Sequence, residues 1–394
     1  MLNFDNIIDR KGTFCTQWDF VQDRFGVADL LPFTISDTDF ALPQEAIEVL
    51  TQRLKHPVFG YTRWNHAAFK NSVCRWYQNR FDTPFNEEWL MYSPSVIYSI
   101  SKLIQLVSKE HEGVVVQTPA YDAFFKVIEG NNRQVVENPL CYQENRYTID
   151  FQNLEEKLAK KNNTILLLCS PHNPTGRVWS TQELRKIVAL CEQYQVFLIS
   201  DEIHMDVLRK GVTHQPIFNF SNKKIALVSS GSKTFNFPGL VFSYAILPDV
   251  QVRAQFQLAL KNQDGLSSAS TLGMLATMTA YDECGYWVDE LNNYLDESIA
   301  MVTAFIQQNI PEIKIIPAEA TYLMWLDISQ LGVEMTELQR VLIDIGKVAI
   351  MDGSVYGGNG PSFLRLNIGC PKAKIYDGLK RLEKSIQYLK QTTR

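Results

Sequence analysis

Lys233 stands in the string SSGSKTFNFPG, residues 229–239, directly after the apolar run 225–228. An amine at a strand end among small hydroxyl residues could be partly desolvated and so act as a nucleophile that forms an imine. Ser230 and Ser232 beside it could donate hydrogen bonds to a phosphate; the plainer alternative is a polar turn with a solvated lysine. Asp201 opens DEIHMD after the apolar run 196–199. A carboxylate at the carboxyl end of a parallel strand sits where open α/β sheets bind ligands. Such a carboxylate also favours the protonated form of a neighbouring heterocyclic nitrogen. A helix N-cap is the other reading of Asp201. His204, three residues on, is either a donor to a phenolate or a satisfied structural histidine.

Asn173 lies in SPHNPTGRVW, residues 170–179, after the run 164–169. The proline that follows biases it towards extended geometry, which can hold its side-chain amide at a strand end. In MYSPSVIYSISKLIQLVS, residues 91–108, Ser95 could open a helix whose buried face is Ile100, Leu103, Ile104 and Val107. The free backbone N–H groups of Ser95, Val96 and Ile97 would then form an anion site. Tyr121, in TPAYDAF after the run 114–117, could stack on a planar ligand or be an ordinary packed tyrosine. Arg365 interrupts the apolar string FLRLNIG, residues 363–369. An inward arginine is costly unless paired, so it implies either a structural ion pair or two-point capture of a carboxylate. Together these groups form the inventory that pyridoxal phosphate acting on an amino acid needs.

The elements that must position these residues read as βα units. The apolar runs 114–117, 164–169, 196–200, 225–229 and 243–247 suit strands covered on both faces of a largely parallel sheet. After Trp179, Ser180 and Glu183 have capping-box spacing, and Leu184, Ile187, Val188 and Cys191 follow on one helical face. Beyond about residue 285 the texture changes to a long helix over 289–308, a strand at 322–326, a helix through 338–345, a strand at 363–368 and a final helix over 374–389. This predicts an α/β fold with a large domain at 46–285 and a smaller α+β domain built from 1–45 and 286–394.

Composition narrows the function classes. The 394 residues carry 38 Lys and Arg against 43 Asp and Glu, a net charge of −5, so bulk charge recruits neither nucleic acid nor an anionic membrane. The seven cysteines are odd in number and never spaced C-x-x-C, which reads as reduced thiols in a cytoplasmic protein with no disulfide frame and no metal site. The start lacks the pattern of a secretory signal, and no run approaches the roughly 18 apolar residues of a spanning helix.

Asn-Pro-Thr-Gly, Ser-Asp-Glu-Ile-His and Ser-x-Ser-Lys, in this order, resemble the fold-type I pyridoxal-phosphate enzymes. The strings CTQWDF, DLLPFTISDTDF, HPVFGYTRW, SPSVIY, TPAYDAF, SDEIHMDV, GSKTFN and KVAIMDG resemble, within that superfamily, the MalY/PatB group of cystathionine β-lyase-type C–S lyases. The resemblance implies pyridoxal 5′-phosphate as cofactor, Lys233 as its Schiff-base lysine, Asp201 on the pyridine nitrogen and Asn173 as a donor to the phenolate oxygen. It further implies Tyr121 against the ring and Ser95, Val96, Ile97, Ser230 and Ser232 around the phosphate. Arg365 would hold the substrate carboxylate. Tyr61, in FGYT, would reach the phosphate of the neighbouring subunit of a homodimer with shared active sites.

Two departures stand out. Many fold-type I aminotransferases carry an arginine eight residues after the lysine, where this chain has Val241; the group often reads Ala-Asp-Met-Asp-Phe where residues 36–40 are Ser-Asp-Thr-Asp-Phe. The implied reaction is αβ-elimination of L-cystathionine or a related cysteine S-conjugate to thiol, pyruvate and ammonia. An aminotransferase would use the same residues. One member of the group also restrains a transcription activator, which leaves a regulatory protein partner as a reading from another class.

Overall fold

A computed structural model describes residues 2–392 of the chain. Its strands are, in chain order, β1 Leu31–Phe33, β2 Leu90–Ser93, β3 Gly113–Thr118, β4 Gln134–Pro139, β5 Cys141–Gln143, β6 Arg146–Thr148, β7 Asn163–Cys169, β8 Phe197–Asp201, β9 Ile225–Ser229, β10 Ser243–Ile246, β11 Lys314–Ile315, β12 Leu323–Asp327, β13 Val348–Asp352 and β14 Phe363–Asn367. Seven of them form the main sheet in the order β2-β10-β9-β8-β7-β3-β4. Every residue of β3, β8 and β9 is buried, as expected for strands with helices on both faces.

The sheet is parallel except for β10, which runs antiparallel to both neighbours. The run 243–247, read as one more unit of a βα series, is therefore a strand of reversed direction. A parallel return needs a crossover, usually a full helix. Residues 230–242 instead fold into two short helical turns, Ser232–Phe235 and Pro238–Leu240, so the chain re-enters the sheet from the same end.

The helix Thr181–Gln193 starts at Ser180 with both halves of the capping box in place: the hydroxyl accepts the Glu183 N–H and the Glu183 carboxylate accepts the Ser180 N–H. It buries Leu184, Ile187, Val188 and Cys191 as the spacing required. The helix Val96–Val107 buries Ile100, Leu103 and Ile104, while Val107 is only half-buried. Gly176, which ends Asn-Pro-Thr-Gly, has φ +69°, and an added Cβ would lie 3.0 Å from the Ala318 Cβ and 3.1 Å from the Ala318 Cα. Only glycine allows both this backbone and this approach without strain.

A second sheet has the order β1-β13-β14-β12-β11, with β1 parallel to β13 and the remaining pairs antiparallel. Residues near both ends of the chain thus share one sheet. The long helices Gly285–Asn309 and Lys372–Thr392 pack together beside it.

Candidate active site

At the carboxyl ends of β2, β3, β7, β8 and β9, and the amino end of the reversed β10, lies a cavity of about 250 Å³. Ser95, Val96, Ile97, Tyr121, Asn173, Asp201, His204, Ser230, Ser232 and Lys233 all line it. The reversal of β10 matters here, because it brings Phe242 and Ser243 to the same end.

Lys233 is the second residue of the helical turn that follows β9. Its Nζ donates to the Ser36 carbonyl at 2.5 Å and lies 3.2 Å from the Ser36 Oγ. Burial pushes the amine down to about 8; the nearby Asp37 and Asp201 act upward and Arg365 downward. Asp201 ends β8, and no helix begins behind it, so the helix-cap reading falls away. One of its oxygens accepts the Ile203 N–H at 3.1 Å, and the other has no protein partner among the described residues. Burial pushes this carboxyl up to about 7, against the Ile203 N–H and Lys233, with Glu202 adding to the rise.

Arg365, buried in β14, donates from Nη1 to the Asn173 Oδ1 at 3.2 Å and from Nη2 to the Thr34 carbonyl at 2.8 Å. Its guanidinium lies 4.9 Å from the Tyr356 ring centroid, and its Nε has no partner among the described residues. It makes no ion pair with a carboxylate among the described residues, so the structural ion pair is not what retains it. Because the Asn173 Oδ1 is occupied, the amide presents its nitrogen as a free donor. His204 is buried, its Nδ1 without a partner among the described residues, and burial beside Lys233 and Arg365 drives its pKa down to about 3. The neutral ring has a single N–H to offer.

At the other end of the cavity, Ser95 is the N-cap of Val96–Val107, its Oγ accepting the Tyr98 N–H at 3.1 Å. That leaves the hydroxyl proton and the N–H groups of the first turn, Val96 and Ile97 among them, free for an anion. Ser230 is more constrained: its hydroxyl donates to the Phe242 carbonyl at 2.7 Å while accepting the Ser232 N–H at 3.1 Å. Tyr121 precedes the helix Asp122–Gly130 and is held edge-on to Phe124 at 5.7 Å between centroids. Tyr61 does not line this cavity; it is fully exposed in the irregular stretch 56–66.

The main feature missed from the sequence is Ser36, the hydrogen-bond partner of Lys233. Its segment is tightly held: Asn367 donates to the carbonyls of Ile35 (2.5 Å) and Asp37 (2.7 Å), Asn236 to those of Thr38 (2.9 Å) and Phe40 (2.8 Å), and Tyr322 to that of Ser36 (2.9 Å). The string ISDTDF was visible, but its approach to a lysine 197 residues away was not.

A site of this kind, at the strand ends of a mostly parallel sheet, defines the class. The family model for aminotransferase class I and II matches residues 28–382, and the chain belongs to that family. Protein MalY of Escherichia coli (strain K12) is 45% identical over 98% of this chain and 99% of its own length. Cystathionine beta-lyase PatB of Bacillus subtilis (strain 168) is 38% identical over 98% of this chain and 100% of its own. Among solved structures, cystalysin from Treponema denticola, which contains pyridoxal 5′-phosphate, matches with a TM-score of 0.93 at 32% identity, covering 99% of this chain and 100% of that one. Within the family the chain groups with MalY and PatB.

Proposed function

We propose that the chain is a pyridoxal-phosphate-dependent carbon–sulfur lyase that cleaves L-cystathionine, or a related cysteine S-conjugate, with water to thiol, pyruvate and ammonia. The observation that carries this reading is the convergence on one cavity of a desolvated lysine, a buried carboxylate with a free oxygen, an amide nitrogen and a helix amino terminus. The residues fit the cofactor: Asp201, its carboxyl pushed up to about 7 by burial, has no cationic hydrogen-bond partner among the described residues, and a protonated pyridine nitrogen would provide one. Bound there, pyridoxal phosphate supplies the electron-withdrawing ring that accepts the charge left at Cα when its proton is removed.

In this reading Asp201 holds the proton on the ring nitrogen, and the Asn173 amide and the His204 N–H donate towards the phenolate oxygen. Tyr121 covers the ring face. Ser95, the N–H groups of Val96 and Ile97, Ser230 and Ser232 surround the phosphate, with Ser230 turning its hydroxyl away from Phe242 to do so. Arg365 fixes the substrate α-carboxylate and so orients the Cα–H bond, a positioning contribution. The ε-amine of Lys233 takes the Cα proton as general base, and Ser36 holds that amine when it is free.

The lyase is a homodimer in this proposal, with Tyr61 of each subunit reaching the other's phosphate. In support, Tyr61 is fully exposed next to the exposed Val58 and Phe59. Residues 46–285 serve as the cofactor-binding domain, and 1–45 with 286–394 as the smaller one that carries Ser36 and Arg365 to it. Seven unpaired cysteines suit a cytoplasmic setting.

The name of PatB favours elimination; transamination uses the same residues up to Cα deprotonation. The two part in one assay. Incubated with L-cystathionine and no keto acid, the holoenzyme releases thiol and pyruvate in equal amounts; a strict requirement for a keto acid means an aminotransferase.

A further inference from the structure

Beside the cavity lies a groove of about 640 Å³ whose walls include Arg24, Asp122, Phe125, Lys126, Asp352 and Val355. Tyr121 lines the first and its neighbour in sequence, Asp122, lines the second. Arg24 belongs to the short helix Val21–Phe25, anchored to the second sheet by a small apolar cluster of Val21, Phe25, Leu30, Ile343 and Ala349. Its Nη1 hydrogen-bonds the Met351 Sδ at 3.2 Å, and no carboxylate pairs with it among the described residues. A thioether is a weak acceptor, so most of the guanidinium's hydrogen-bonding capacity is free.

The strand register ties this group to the site. Met351 of β13 is the direct partner of Arg365 of β14, and directly opposed residues place their side chains together on one face. Arg24 therefore sits about one side chain beyond Arg365. Burial raises the hydroxyls of Tyr121 and Tyr356, with Asp122 adding to the rise and Arg365 and Arg24 opposing it. On the groove's acidic side, Asp352 uses one oxygen to accept the Ser354 N–H at 2.7 Å, and the other has no partner among the described residues.

Resting on the lyase reading, we infer that this groove takes the distal amino-acid end of a cystathionine-like thioether, with Arg24 on its carboxylate and Asp352 towards its ammonium. An S-alkyl cysteine has neither group. The site would thus select substrates whose leaving thiol is itself a zwitterion.

The test compares holoenzyme kcat/KM for L-cystathionine and S-ethyl-L-cysteine in the wild type, Arg24→Gln and Arg24→Lys. A lost charge-assisted contact corresponds to roughly a tenfold or greater effect. The cystathionine to S-ethylcysteine ratio falls by that factor in Arg24→Gln, through KM, and recovers in part in Arg24→Lys. Calorimetric titration with 2,7-diaminosuberate, which replaces the sulfur by CH₂ and cannot eliminate, shows the same weakening as a higher Kd. An unmoved ratio together with an unmoved Kd, in an enzyme that turns over both substrates, overturns the subsite alone. A wild type that releases thiol from neither substrate overturns the lyase reading and the subsite with it.

Discussion

Burial moves the two central ionisable groups towards each other, Lys233 down to about 8 and Asp201 up to about 7. For Asp201 the sign of the stability effect follows directly. Its folded value lies above the ordinary 3.8, so between these values the folded chain holds more proton than the unfolded one, and stability falls as pH rises. The penalty is small near pH 4 and complete above about 7. In cofactor-free protein, Asp201→Asn should therefore raise Tm, with a gain that grows between pH 5 and pH 8; a gain that shrinks over that range contradicts the assignment. Cofactor should reverse the ranking, because the negative charge of a carboxylate stabilises a pyridinium and a neutral amide has no such charge. The residue types of this site were readable, since Lys, Asp, Asn and Arg were each recognisable at the end of, or within, an apolar run. The Arg365–Asn173 contact, 192 residues apart in sequence, was not.

Elements were legible wherever local chemistry dictates them. A doubly covered strand must be apolar throughout, and 164–169 and 225–229 announce themselves in this way. The helix after Trp179 was set by its cap, and removing the cap should be measurable. Ser180→Ala deletes an acceptor for the Glu183 N–H and should cost about 1 kcal/mol in denaturant unfolding, with cystathionine turnover retained. Strand direction has no such local signature. Nothing in 243–247 distinguishes a parallel from an antiparallel strand, because both patterns bury the same side chains; the short connection 230–242 decided it.

For the whole molecule, the proposed homodimer with shared sites makes a quantitative prediction. Lys233→Ala and Tyr61→Ala dimers should each be strongly impaired, the first because general-base catalysis alone is worth about 10²–10⁴-fold. Refolded together, they form hybrids in which one site combines the native Lys233 of one chain with the native Tyr61 of the other. Random pairing makes half the dimers hybrid with one sound site in two, so activity should recover to roughly a quarter of wild type. Mixing without recovery rules out the shared site.

By itself the sequence determined the βα alternation, the capped helix, the residue types able to do chemistry and a family resemblance, because each is written in neighbouring residues or in their order. Tertiary structure alone decided that Ser36 meets Lys233, that β1 lies beside β13, that β10 runs backwards and that Arg24 stands one side chain from Arg365. The physical reason is that such contacts join segments as much as 327 residues apart. Their partners are selected by the burial and hydrogen bonding of the whole core, and no local pattern of residues encodes that choice.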